Sequence, residues 1–166
     1  GQAPRAATLK GLIIHTADEC GSFDGPDYRF GWGLINVEHA ADVILEDSET
    51  GYNIQQRELA DGDSWSIVYE SDGESPITLT MCWTDVPGES TTPVVNDTTR
   101  KLVNDLDIRI ENISSGTVYE PWILDPENPR RQRSGFGDNS ELRMPDYQPS
   151  PWVEERDDIA RFRKLS

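Results

Sequence analysis

The sequence predicts an α+β chain: two helices, then an antiparallel β sandwich or barrel, then an irregular tail. Three observations carry this. The apolar period is helical as far as Gly51 and becomes two afterwards. With 35 % hydrophobic residues and five Trp in 166 residues, the chain has enough apolar material to bury a core. Charge then shifts near Pro129: residues 1–128 hold 24 acidic and 7 basic side chains, whereas residues 129–166 hold 7 and 8. The expected units are therefore 1–50, 51–128 and 129–166.

In the first unit, Pro4 suits a first-turn position, and Leu9, Leu12, Ile13, Thr16 and Ala17 fall on one helical face, widened by Ile14. Gly21 supplies the expected stop. From Gly25 to Gly33 the run Gly-Pro-Asp-Tyr-Arg-Phe-Gly-Trp-Gly mixes turn formers with large rings, which predicts a fixed loop. Asn36 is a natural N-cap for a second helix, with Glu38 in the first turn where the helix dipole favours an anion. Val37, Ala40, Ala41, Ile44 and Leu45 are its expected buried stripe.

In the second unit Trp65, Ile67 and Tyr69 alternate with polar residues, as do Ile77, Leu79, Met81 and Trp83, and later Leu106, Ile108 and Ile110. Each run reads as a half-buried strand. Gly116 separates the last from a short strand near Val118. The tail is rich in Arg, Pro and Ser and is expected to be mostly irregular, with a helical turn or two over 153–163.

A formal net charge of −16 repels phosphate backbones and anionic headgroups, so neither nucleic acid nor membrane is an expected partner. No run approaches the roughly 20 apolar residues of a membrane span, and Gly1 to Gly21 lacks the order of a signal peptide. The chain opens without Met, directly into a helical pattern, as expected of a piece with more polypeptide upstream. Cys20 and Cys82 stand far apart without a CxxC pairing, which favours free thiols over a zinc site or a disulfide.

Candidate chemistry is sparse. No Ser stands in a Gly-x-Ser-x-Gly elbow. The two histidines, His15 and His39, sit in helical patterns and read as structural. Asp105 and Asp107 share one strand face and are the candidate calcium ligands, with Asp85, Asn96, Asp97 and Asn104 as further oxygen donors. The alternative is a solvated face on which Arg109 partners them. Gly31-Trp32-Gly33 and Gly135-Phe136-Gly137 read as turns, lacking the third glycine of a dinucleotide fingerprint. Asn96-Asp97-Thr98 and Asn112-Ile113-Ser114 match the glycosylation sequon. Trp122 and Trp152, flanked by Pro, are candidate ligand platforms.

Thr8-Leu9-Lys10-Gly11-Leu12-Ile13-Ile14-His15-Thr16-Ala17-Asp18, followed by the loop from Gly25 to Gly33 and Leu34-Ile35-Asn36, resembles the end of the catalytic domain of subtilisin-like serine proteases. Leu79 to Pro87, Leu102-Val103-Asn104-Asp105-Leu106-Asp107 and Tyr119 to Pro126 resemble the jelly-roll-like domain that follows it in a subset of the family. Together the two cover about residues 4–128. The resemblance implies a secreted endopeptidase that cleaves protein or peptide substrates through an acyl-enzyme, and an accessory domain able to bind calcium. The family's catalytic Asp, His and Ser and its oxyanion-hole Asn lie in motifs upstream of this sequence, so no residue here takes their roles, and no cofactor is required. The rival expectation is a non-catalytic β module that binds calcium, carbohydrate or a protein; a third is a pseudoprotease fragment.

Overall fold

The computed structural model describes residues 3–21, 25–71, 76–90, 95, 101–124, 132–134, 142–143 and 158–165. They form a small α+β structure with two helices and antiparallel strands in an open sheet.

Helix α1 is Ala6–His15. It begins after Arg5, so Pro4 lies before the cap rather than in the first turn. It stops at Thr16, five residues before the expected Gly21. There the Thr16 hydroxyl donates to the Leu12 carbonyl at 2.8 Å, and Asp18 leaves the helix to pair with Leu34. The face it buries also differs from the expected one. Ile14, Thr16 and Ala17 are buried, while Leu9 and Ile13 are exposed.

Helix α2 is Val37–Thr50. Asn36 caps it as expected, its side-chain oxygen accepting from the His39 amide at 2.9 Å, and Gly51 closes it in the left-handed conformation at φ +67°. The expected buried stripe is corrected: Val37, Ala41, Ile44 and Leu45 are exposed, and the side facing the protein carries Ala40, Val43 and Asp47, which are half-buried. That side is anchored by Asp47, whose carboxylate accepts from the Ile54 amide at 2.8 Å. The chain therefore returns along the flank that adjoins the apolar stripe, not along the stripe itself.

The strands are β1 (Ser64–Tyr69), β2 (Thr80–Met81), β3 (Asp105–Asn112), β4 (Val118–Tyr119), β5 (Trp122–Leu124), β6 (Gln132–Ser134), β7 (Leu142–Arg143) and β8 (Asp158–Leu165). The main sheet runs β1-β8-β3-β4, all antiparallel; β2 pairs with β7 and β5 with β6. In β1, Trp65, Ile67 and Tyr69 are half-buried and Ser64, Ser66 and Val68 exposed, the expected alternation. Ile108 and Ile110 of β3 are buried, at 1 % and 6 % exposure. Over 77–84 the expected long strand shrinks to Thr80–Met81.

The tail expectation is corrected at its end. Residues 158–165 form an eight-residue strand, not helical turns, with Asp107 in register with Arg163 and Ile108 with Phe162. Strand β3 pairs with β4 only at Ile110 and Glu111, so its other edge carries a full row of backbone groups that must find partners. Strand β8 supplies them and in turn pairs with β1, so β1 and β3 join one sheet through it.

Candidate functional site

Three junctions gather the residues singled out by the sequence. The first is the segment from Asp18 to Asn36, between the helices. Asp18 and Leu34 exchange both backbone hydrogen bonds, at 2.8 and 2.9 Å. Asn36 donates its side-chain N–H to the Asp18 carboxylate at 3.0 Å while capping α2. Asp27 and Gly31 exchange backbone bonds at 2.9 and 3.0 Å, and the Asp27 carboxylate accepts from the Arg29 and Phe30 amides, so the tip is tied at four points. Gly33, at φ +105°, lies so close to the Asp18 carbonyl that a β-carbon there would overlap it. Gly31-Trp32-Gly33 is thus a turn, as expected; Gly135-Phe136-Gly137 lies outside the described residues.

The second junction joins this segment and α1 to the strands. A β-carbon on Gly25 would fall 2.6 Å from the Trp122 indole, so the ring lies flat against the backbone. Trp122 therefore stands on a strand and not in a loop, packed against Gly25; Trp152 lies outside the described residues. Gly11 of α1 faces Cys82, and His15 Nδ1 lies 3.0 Å from the Thr80 hydroxyl of β2. His15 thus ties α1 to β2. Burial pushes the Cys82 thiol pKa up, opposed by the Lys10 ammonium, which leaves Cys82 a poor nucleophile. Cys20 and Cys82 are both free thiols. His39 is exposed in the first turn of α2.

The third junction holds the candidate metal ligands. Asp85 is its centre. Its carboxylate accepts from the Val103 amide at 2.8 Å, from the Asn104 side chain at 2.6 Å and amide at 3.2 Å, and from the Val86 amide at 2.9 Å. These donors, the Val103 amide foremost, hold the carboxyl below its ordinary pKa against the opposing pull of desolvation. Gly88 permits the same approach, since a β-carbon there would overlap the Lys101 carbonyl. Asp85 pins the start of β3.

Asp105 and Asp107 then stand two apart on β3, both half-buried, with Arg109 next on the same face. Glu120, beyond β4, comes close to this row. Burial is the first cause of its raised pKa, Asp107 adds to it and Arg109 opposes it. One Glu120 carboxylate oxygen is fully buried with no hydrogen-bond partner among the described residues.

Calcium takes six to eight oxygen ligands. Asp85 is already saturated by protein donors, and among the described residues no group of three His, Cys, Asp or Glu comes together around Asp105 and Asp107. Among the described residues the pair supplies two carboxylates of the oxygens such a site takes. Asn96 and Asp97 lie outside the described residues. Asn112, the acceptor of one sequon, is 5 % exposed, and its side-chain oxygen accepts from the Ser115 amide and hydroxyl at 2.8 and 2.9 Å. It closes the turn that leads through Gly116, at φ +70°.

Sequence reasoning missed Glu120 and gave Asp85 only a peripheral place. A lone Glu before a Pro carries no pattern, and the partners of Asp85 lie 18 and 19 residues away. Among the described residues no helix is long and apolar enough to cross a membrane. Compared with protein-family models, curated proteins and solved structures, the chain matches none.

Proposed function

We propose that this chain is the C-terminal portion of a secreted subtilisin-like serine endopeptidase, contributing the last two helices of its catalytic domain and a jelly-roll-like accessory domain. The triad and the oxyanion-hole Asn belong to the upstream part of the parent, which cleaves proteins or peptides through an acyl-enzyme. This chain alone is inert and acts as scaffold.

The observation that carries the reading is the helix-loop-helix unit from Ala6 to Thr50. Its motif residues are the ones that hold it together: Asp18, Asp27, Gly33, Leu34 and Asn36 supply its bonds and its close approach. A stretch in which the family-like residues are also the structural ones is what shared architecture produces. Calcium at Asp105 and Asp107 would be an addition to this role and not a condition of it.

The coding sequence upstream of Gly1 tests the proposal. A Gly-Thr-Ser motif shortly before residue 1, preceded by Asp and His motifs, is the expected result. An upstream region without them would end the protease reading and favour the binding module.

A further inference from the structure

We propose that α2 is a docking surface for an amphipathic partner helix whose apolar ridge is flanked by a row of Lys or Arg. The inference stands apart from the protease reading, because it rests only on the exposure and charge of this helix.

Val37, Ala41, Ile44 and Leu45 recur at i, i+4, i+7 and i+8, the spacing of a continuous helical stripe. A stripe of this kind normally faces a core. Here it faces outwards: Val37 is 73 % exposed, Ile44 50 % and Leu45 64 %. Leu34 and Ile35, just before the cap, are exposed as well, at 63 % and 62 %. The helix is already seated on the protein by the adjoining flank, through Ala40, Val43 and Asp47. The stripe is therefore an additional apolar surface, and contiguous apolar surface of this kind on a folded domain marks an interaction site.

Charge defines the occupant. Glu38, Asp42 and Glu49 follow one another along the helix on the side of the stripe away from the seated flank, all exposed. Helix α2 contains no Lys or Arg at all. A second copy would bring another acidic row and a second net charge of −16 to the contact, which opposes self-pairing. A membrane with anionic headgroups is repelled on the same ground. A helix with an apolar ridge beside Lys or Arg matches both features, since helices accept one another ridge into groove and opposite charges alongside fix register and orientation.

Two synthetic 14-residue helical peptides test this on the full chain, one with a Leu seam and a Lys row, the other with the same seam and a Glu row. Fluorescence anisotropy is read at about 0.15 M salt, where the Debye length of about 8 Å confines charge effects to the contact. The Lys peptide is expected to bind and the Glu peptide to bind about tenfold more weakly or worse. Ile44→Asp with Leu45→Asp, at exposed positions, should weaken the Lys peptide by about tenfold with the melting temperature unchanged. Glu38→Lys, Asp42→Lys and Glu49→Lys together should reverse the preference. Failure of both peptides to bind would overturn the proposal. So would undiminished Lys-peptide binding to the Ile44/Leu45 variant, which would mean diffuse attraction to an acidic chain. A dimer in sedimentation that this variant abolishes would assign the stripe to a second copy instead.

Discussion

At the scale of single residues, two carboxylates have their pKa values shifted in opposite directions. Asp85 is surrounded by donors and its pKa is lowered from 3.8, so its ionised form is the one the fold stabilises. That stability is present above pH 3.8 and is lost as pH falls through the lower folded value. Asp85→Asn should lower the melting temperature at pH 7, and the deficit should shrink in acid below that range. Glu120 behaves in the reverse sense. Its pKa is raised from 4.5 by burial and by Asp107, so its ionised form strains the folded state. Stability from this group is greatest below pH 4.5 and is lost as pH rises through the folded value. Glu120→Gln should therefore raise the melting temperature at pH 7 to 8, with the gain fading below pH 4.5. Paired melting curves across pH check both.

At the scale of elements, the caps and the buried β3 pair carry most of the local definition. Asn36→Ala removes both the α2 cap and the bond to Asp18, and should cost about 1–2 kcal/mol in denaturant unfolding. Ile108→Ala should cost about 2–5 kcal/mol, since the side chain is almost fully buried in the central layer. Glycine 33 tolerates no β-carbon, so Gly33→Ala should disrupt the joint between the helices, detected as loss of protection at the Asp18 and Leu34 amides in hydrogen exchange.

How far these elements were legible follows from where their partners lie. Strands β1 and β3 and helix α2 were plain in the sequence, because alternation and an Asn cap are local signals. The end of α1 was not, because Thr16 stops it through a bond back to Leu12 and Asp18 is captured by Leu34, 16 residues on. Strand β8 was not legible, because the tail carries little apolar periodicity of either kind. Its pairing with β1 and β3 defines it. Of the site, the shared strand of Asp105 and Asp107 was legible; the Asp85 junction, built from tertiary contacts, was not.

At the scale of the whole molecule, acidity and exposed apolar surface set the behaviour. With a net charge of −16, self-repulsion opposes compactness, so the melting temperature at pH 7 should rise between low and physiological salt as screening shortens the range of that repulsion. The two regions are locked together by Trp122 against Gly25, Cys82 against Gly11 and His15 against Thr80, so the helices and the strands should unfold in one transition. Separate transitions by far-ultraviolet circular dichroism and Trp fluorescence would show the locks to be too weak.

The central claim is that this chain is scaffold for catalytic machinery carried upstream, and labelling of the full-length parent with a serine-directed active-site probe tests it most directly. The account predicts one labelled serine, located before Gly1, and no labelled serine anywhere in residues 1–166. A label on a serine within this chain, or a full-length product that takes no label, would contradict it.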